Sequence, residues 1–162
     1  MITVSDASWA NDQKVVYTDM DVKIFPRKSQ FGRFTRLGHP DLRDADEGYV
    51  HIIGFKSGLI KRTCRSTFRA EAHGMWYATE VSDNLRAVIS SLRNLFERNK
   101  NWEYEVASQL PNLWLTDCQS LHDYLINPVA QGSEDKRLEI DLESLRECLW
   151  EHEDGRLKDE IT

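Results

Sequence analysis

The chain opens on Ile2-Thr3-Val4-Ser5-Asp6, an alternation of apolar and polar side chains with the period of a half-buried strand, ending on an acid. A strand that begins at the second residue suggests a module cut from a longer polypeptide. From Asn11 to Glu47 the pattern is looser. Val15-Val16-Tyr17 predicts a short strand, and Pro26, Gly32, Gly38 and Pro40 break the next stretch into a long basic loop. Gly48-Tyr49-Val50-His51-Ile52-Ile53-Gly54-Phe55 predicts a strong strand, with a tight hairpin at Ser57-Gly58 leading into Leu59-Ile60-Lys61-Arg62. Ser66 or Thr67 caps a helix with Phe68, Ala72, Met75 and Thr79 on one face, then Leu85, Val88, Ile89, Leu92 and Phe96. No proline interrupts 67–110, so Ser82-Asp83-Asn84 either splits this segment into two helices or caps the second.

Pro111 then introduces Asn112 to Asp117, a short buried strand that again ends on an acid. Ser120 to Leu125 reads as a short helix stopped near Asn127-Pro128, and 129–135 as a loop. Leu138 to Trp150 is a final amphipathic helix with a stop at Gly155. Strands, helices, a strand and helices in this order predict a mixed α/β fold, in which ligands collect beyond the carboxyl ends of the central strands.

Composition sharpens this picture. The 162 residues carry 21 Lys+Arg and 27 Asp+Glu, a net charge of −6, and have room for one domain with a real core. No apolar run approaches the roughly 20 residues of a membrane helix, so no membrane partner is expected. Cys64, Cys118 and Cys148 are odd in number and far apart, which points away from a disulfide framework or zinc cage and towards a cytoplasmic, reducing setting. A negative chain argues against a nucleic-acid partner. Yet residues 134–162 hold eleven acids against five bases, which accounts for the whole deficit. Two stretches of the neutral remainder are basic. In 23–43, Lys23, Arg27, Lys28, Arg33, Arg36 and Arg43 stand against Asp41, interleaved with Phe25, Phe31 and Phe34; in 56–69, Lys56, Lys61, Arg62, Arg65 and Arg69 meet no acid.

Three acids hold special places: Asp6 after the first strand, Glu71 early in the long helix, and Asp117 after the strand that comes next. If the two strands are neighbours and the helix crosses them, three carboxylates converge. Like charges that close repel unless a cation lies between them, and hard oxygen donors suit Mg²⁺ or Mn²⁺. Acids at strand ends are also ordinary solvated turn residues.

Four segments carry a resemblance: Ser5-Asp6-Ala7-Ser8-Trp9-Ala10, Gly48-Tyr49-Val50, Ser66-Thr67-Phe68-Arg69-Ala70-Glu71 and Leu115-Thr116-Asp117-Cys118-Gln119-Ser120-Leu121. In this order they resemble the ribonuclease H domain of copia-type (Pseudoviridae-like) retrotransposon polyproteins, whose counterparts read Ser-Asp-Ala-Asp-Trp-Ala, Gly-Tyr, Ser-Ser-Thr-Glu-Ala-Glu and Asp-Asn-Gln-Ser. The similarity runs over roughly residues 2–150. It implies a ribonuclease H-like mixed sheet, three antiparallel strands extended by a parallel one, with helices on both faces. It also implies a nuclease with two Mg²⁺ or Mn²⁺ ions that hydrolyses the RNA strand of RNA–DNA hybrids. Asp6, Glu71 and Asp117 would be its catalytic metal ligands. The partners would be the hybrid and the reverse transcriptase domain of the same polyprotein, inside the cell or a retrotransposon particle. Integrases and resolvases also use strand-end acids, but Gly48-Tyr49 and the Asp-x-Gln-Ser element favour the ribonuclease H reading.

The sequence departs from the family at its end. A fourth carboxylate is expected in a helix reading Ala-Asp-x-Leu-Thr-Lys after one more strand, and no such motif precedes Thr162. The expectation is therefore a single domain over 1–162, with a core at 1–127 and an acidic helical tail at 128–162, lacking the last strand and helix. Asp141 is the fallback fourth metal ligand, with Glu139 an equal choice in alignment and an ordinary acid near a helix start as the plain alternative. Without a fourth acid, the chain would instead be a degenerate or truncated module that packs on a reverse transcriptase and helps bind nucleic acid. Lys61, Arg62, Arg65 and Arg69 are either phosphate contacts or solvated charges, and Ser120 either caps a helix or meets nucleic acid. His73 and His122 lack ligand spacing, while Trp76, Trp114 and Trp150 read as core and Cys118 as a small buried thiol.

Overall fold

The computed structural model describes residues 1–12, 15–18, 21–24, 28–39, 42, 47–93, 102–127, 135–150 and 159–162. Phe25, the 129–134 loop, Phe96 and the Gly155 stop lie outside the described residues. The elements are β1 (Ile2–Asp12), β2 (Val15–Thr18), β3 (Asp21–Ile24), β4 (Lys28–Gly38), β5 (Val50–Leu59), α1 (Thr67–Leu92), α2 (Trp102–Gln109), β6 (Leu113–Leu115), α3 (Gln119–Ile126), α4 (Lys136–Leu149) and β7 (Glu160–Ile161). Five strands form one mixed sheet in the order β5-β4-β1-β6-β7, and β2 pairs with β3 in a separate ladder. β1, β4 and β5 are antiparallel neighbours, whereas β6 runs parallel to β1 and β7 parallel to β6. This is the α/β, ribonuclease H-like mixed sheet that the sequence predicts.

Three expectations are corrected. The last strand is present: β7 comes directly after Asp159, and the Thr162 N–H donates to the Trp114 carbonyl at 3.0 Å. No hairpin forms at Ser57-Gly58, because β5 runs through both to Leu59 and the Phe31 ring of β4 occupies the space above Gly58. The basic stretch expected as a loop contains β4, which pairs with β1 on one side and β5 on the other. Its two glycines, Gly32 and Gly38, are both paired in the ladder with β5 and do not break it.

β1 alternates as expected, with its polarity inverted. Thr3, Ser5 and Ala7 are buried towards α1, while Ile2, Val4 and Asp6 face the other way. The reason lies in the helix. Ala70, Gly74, Ala78 and Ser82 recur every four residues as a buried stripe of small side chains along α1. A Cβ on Gly74 would stand 3.3 Å from the Ala7 Cβ, so only small strand residues fit beneath. The buried hydroxyls find partners: Thr3 Oγ1 lies 2.6 Å from Ser82 Oγ and donates to Asn112 Oδ1 at 3.1 Å, and Ser5 Oγ meets Met75 Sδ. α1 runs unbroken through Ser82-Asp83-Asn84 from its Ser66 N-cap, whose side chain accepts from the Arg69 N–H. Met75, Ala72 and Thr79 are buried as expected, but Val88 and Leu92 are exposed, since the second half of α1 turns Arg86 and Ser90 inwards.

The main core joins Ala72 and Met75 of α1, Trp114 of β6 and Ile161 of β7 to Leu121 and Leu125 of α3 and Leu138, Leu142, Leu145 and Leu149 of α4. The helices that share this core, α1, α3 and α4, lie on one face of the sheet, where the resemblance implies helices on both. Trp76 and Trp150 pack at its rim. Asp135 caps α4 by accepting from the Arg137 and Leu138 N–H groups. None of the three cysteines is in a disulfide, and Cys118 is half-buried. No helix among the described residues is long and apolar enough to cross a membrane.

Candidate metal centre

Three elements deliver one carboxylate each. Asp6 sits in β1 opposite Gly32 of β4, Glu71 lies in the second turn of α1, and Asp117 stands two residues past the end of β6. Each offers an oxygen within 4.8 Å of the other two. Asp6 and Asp117 are exposed, whereas Glu71 is buried. Its carboxyl is held from the strand by the Ala7 backbone N–H, and Gly74 one turn on lets α1 approach close enough for that bond. Near Asp117, the Cys118 N–H donates to Thr116 Oγ1 at 3.2 Å, which fixes the turn before α3.

Burial pushes the Glu71 carboxyl up to about 7; the charges of Asp117 and Asp6 add to the rise, and the Ala7 hydrogen bond opposes it. Glu71 Oε2 is buried without a hydrogen-bond partner. A buried acceptor facing two more carboxylates is costly unless protonated or bridged by a cation. The donor set, hard carboxylate oxygens with one orphaned, fits a divalent cation of the Mg²⁺ or Mn²⁺ class.

Asp141 is not one of the three carboxylates that gather. It lies in α4, where Arg62 Nη1 donates to both its oxygens at 2.9 and 2.7 Å, and His73 Nε2 is 3.9 Å away. Burial holds the His73 imidazole below its ordinary value, with Arg62 and Arg69 acting in the same direction against Asp141. Glu139 is in the first turn of the same helix. Of the four expected phosphate contacts, Lys61 and Arg65 are exposed, Arg62 is turned to Asp141, and Arg69 is buried against Asp135, tying α1 to the start of α4. Ser120 does not cap α3; Cys118 is the N-cap residue, and Ser120 Oγ lies 3.4 Å from its Sγ. His122 sits on α3 beside Asp123.

Sequence reasoning missed Gly74 and Gly32, which shape the site without touching a ligand. The four-residue spacing of Ala70, Gly74, Ala78 and Ser82 was the signal for the first; only the strand register reveals the second. No family model, no curated protein and no solved structure matches this chain.

Proposed function

We propose that this chain is a ribonuclease H-like, metal-dependent endonuclease that hydrolyses the RNA strand of RNA–DNA hybrids during retrotransposon reverse transcription. In that setting it works beside the reverse transcriptase domain of its polyprotein, inside the cell. One observation carries the reading: carboxylate oxygens of Asp6 in β1, Glu71 in α1 and Asp117 just past β6 lie within 4.8 Å of one another at a sheet ordered β5-β4-β1-β6-β7. These residues would hold the ions, and Mg²⁺ or Mn²⁺ bound there would supply activation of a water and stabilisation of a leaving 3′ oxygen. Asp6, on the central strand, offers an oxygen within 4.8 Å of those of both Glu71 and Asp117. The Glu71 carboxyl, pushed up to about 7, is partly protonated near neutral pH in the metal-free chain, and a bound cation would favour its ionised form. Its anchor to the Ala7 N–H keeps its carboxyl aimed at the two aspartates through that change.

The test is incubation of an end-labelled RNA–DNA hybrid with the chain and Mg²⁺ or Mn²⁺. Cleavage of the RNA strand alone, abolished by EDTA and by Asp117→Asn, is expected. A hybrid left intact with either metal, from neutral to mildly alkaline pH, overturns the reading.

The pairing of Asp141 with Arg62 favours a second reading. With its fourth acid engaged by an arginine, the chain would be a degenerate module that packs on a reverse transcriptase and helps hold nucleic acid. Hybrid binding without cleavage distinguishes it from the first.

A further inference from the structure

β5 ends the sheet and pairs only with β4 among the described residues, so a strand of 10 residues leaves one backbone edge open. The ladder decides which groups face that edge. The Ile60 N–H donates to the Ser29 carbonyl at 2.8 Å, which makes these two a hydrogen-bonded pair. Antiparallel pairs alternate, so Gly58, Lys56 and Gly54 turn their backbone groups to Phe31, Arg33 and Thr35 of β4. The N–H and C=O groups of Phe55, Ser57 and Leu59 point outwards, away from β4.

Side chains alternate as well. Phe55, Ser57 and Leu59 pair with Phe34, Gly32 and Gln30, on the face turned away from α1, whereas Lys56 and Gly58 lie on the α1 side with Arg33 and the buried Phe31. Phe55 is 77% exposed and Leu59 50%, and Gly54 to Leu59 contains neither an acid nor a proline. A shallow depression of about 310 Å³ carries Val4, Phe34 and Phe55 and reaches Ser57, so apolar surface runs up to this edge. A long, apolar, unblocked edge is a template for another strand.

The order of residues selects the occupant. Laid antiparallel against itself about Ser57, the segment places Phe55 opposite Leu59, Lys56 opposite Gly58 and Ser57 opposite Ser57. Each exposed apolar side chain then meets the other on the same face, once on either side of a two-fold axis. Lys56, the one charge in the segment, lies beside a glycine, so no like charges are opposed. Phe55, Ser57 and Leu59 are also the residues whose backbone groups point outwards, so their pairs exchange hydrogen bonds. The register shift of β5 falls before Gly54 and leaves this stretch regular.

We propose that β5 pairs with β5 of a second copy of this chain, antiparallel about Ser57, and joins two 5-stranded sheets into one. The contact covers on the order of 1,000 Å² in total, the lower bound for a specific interface, which makes the dimer weak, in the micromolar range. Asp6, Gly32 and Ser57 share one row, so both candidate metal centres face the same side of the joined sheet. Five strand spacings of roughly 4.8 Å set their Asp6 residues about 24 Å apart. Pairing needs neither metal nor nucleic acid and does not depend on the nuclease reading.

Sedimentation equilibrium of the full chain in EDTA, from about 1 to 100 µM, tests it, and a reversible monomer–dimer equilibrium is expected. Phe55→Lys, at an exposed side chain, should raise the dissociation constant at least about tenfold. Ser57→Pro should do the same, because it removes an outward donor and spares the bonds to β4. Both monomers should keep the wild-type thermal midpoint; should the proline variant fail to fold, Phe55→Lys and a cross-link decide. Hydrogen-bonded partners have Cα atoms about 5.5 Å apart, within disulfide reach. Mild oxidation should therefore link two copies of Ser57→Cys, beyond any link that Cys64, Cys118 and Cys148 form in the wild-type chain, and should not link His51→Cys, far out of register. A chain that stays monomeric throughout overturns the inference. So does a dimer that Phe55→Lys leaves intact, or a Ser57→Cys chain that cross-links no faster than His51→Cys.

Discussion

Asp6 and Asp117 stand side by side because their strands share a register: Val4 of β1 pairs in parallel with Leu115 of β6, and each acid lies two residues further along its chain. Equal offsets send both side chains to the same side of the sheet. A shift of one residue in either strand would separate them, since alternation would turn one carboxylate to the opposite face. Glu71 then needs only to lean in from α1, and the three close to within 4.8 Å.

Loss of either aspartate should therefore uncouple stability from metal. At a Mg²⁺ concentration near a hundred times its dissociation constant, the wild-type chain gains about 2.7 kcal/mol. For a domain of this size that raises the melting midpoint by roughly 5–10 °C. Asp117→Asn should keep less than half of that rise, while its midpoint in EDTA stays level or increases as repulsion is relieved. Thermal melts with and without Mg²⁺ read both quantities, and an undiminished rise in Asp117→Asn would remove this residue from the ligand set.

The Glu71 carboxyl gives the metal-free chain a pH signature. Its value in the fold, about 7, lies above the ordinary 4.5, so the folded state binds the extra proton between those limits. Its contribution is fully present below about pH 4.5 and is lost as the pH rises through about 7. In EDTA, Glu71→Gln should gain stability relative to wild type across that window, reaching about 3 kcal/mol on the alkaline side. Mg²⁺ should reverse the order. Urea melts at several pH values measure the difference, and parallel curves for the two chains would contradict the buried, charge-crowded setting of Glu71.

The three acids were legible because each sits beside a local signal: an alternating strand before Asp6, a serine cap before Glu71, an apolar triplet before Asp117. α3 and α4 were legible for the same reason, as short amphipathic patterns. What escaped depends on distant partners. Thr3 and Ser5 look solvent-facing until α1 lays Ser82 and Met75 against them. Gly32 and Gly58 look like breakers until neighbouring strands use the space they leave. Arg62 and Arg69 look like phosphate contacts until α4 brings Asp141 and Asp135 to them. β7 has two residues and no period, so nothing within it announces a strand.

Gly74 is the point where packing and chemistry meet. An added Cβ would lie 3.3 Å from the Ala7 Cβ and 3.6 Å from the Asp6 carbonyl oxygen, and the strand backbone has little room to yield. Gly74→Ala should be mild, because the gain in helix propensity of about 1 kcal/mol offsets the tight contact. Gly74→Val should cost about 2 kcal/mol or more and weaken Mg²⁺ binding, since a displaced α1 withdraws Glu71 from the aspartates. Urea unfolding and Mg²⁺ titration of the two variants check this. A valine variant with wild-type stability and metal affinity would show that α1 does not rest on Ala7.

The far end of the sheet is closed by charge and not by strand length. Arg86, buried on α1, donates to Asp159 Oδ1 at 2.8 Å and also pairs with Asp83, while the same Asp159 oxygen accepts the Asn112 N–H at 3.0 Å. Burial opposes the Arg86 charge, but Asp159 and Asp83 outweigh it and hold the guanidinium above its ordinary value. Asp159 immediately precedes β7, so this clasp rather than a two-residue ladder anchors the last strand. Arg86→Met should cost about 3–5 kcal/mol, because it strands a buried carboxylate. Adding Asp159→Leu should recover much of the loss, since two apolar side chains leave no charge to solvate. Hydrogen exchange gives the local readout: the Thr116 N–H, which donates to the Thr162 carbonyl at 3.0 Å, should lose protection in Arg86→Met ahead of the α1 amides. Equal loss at both sites would mean that Arg86 supports the whole fold and not the docking of β7.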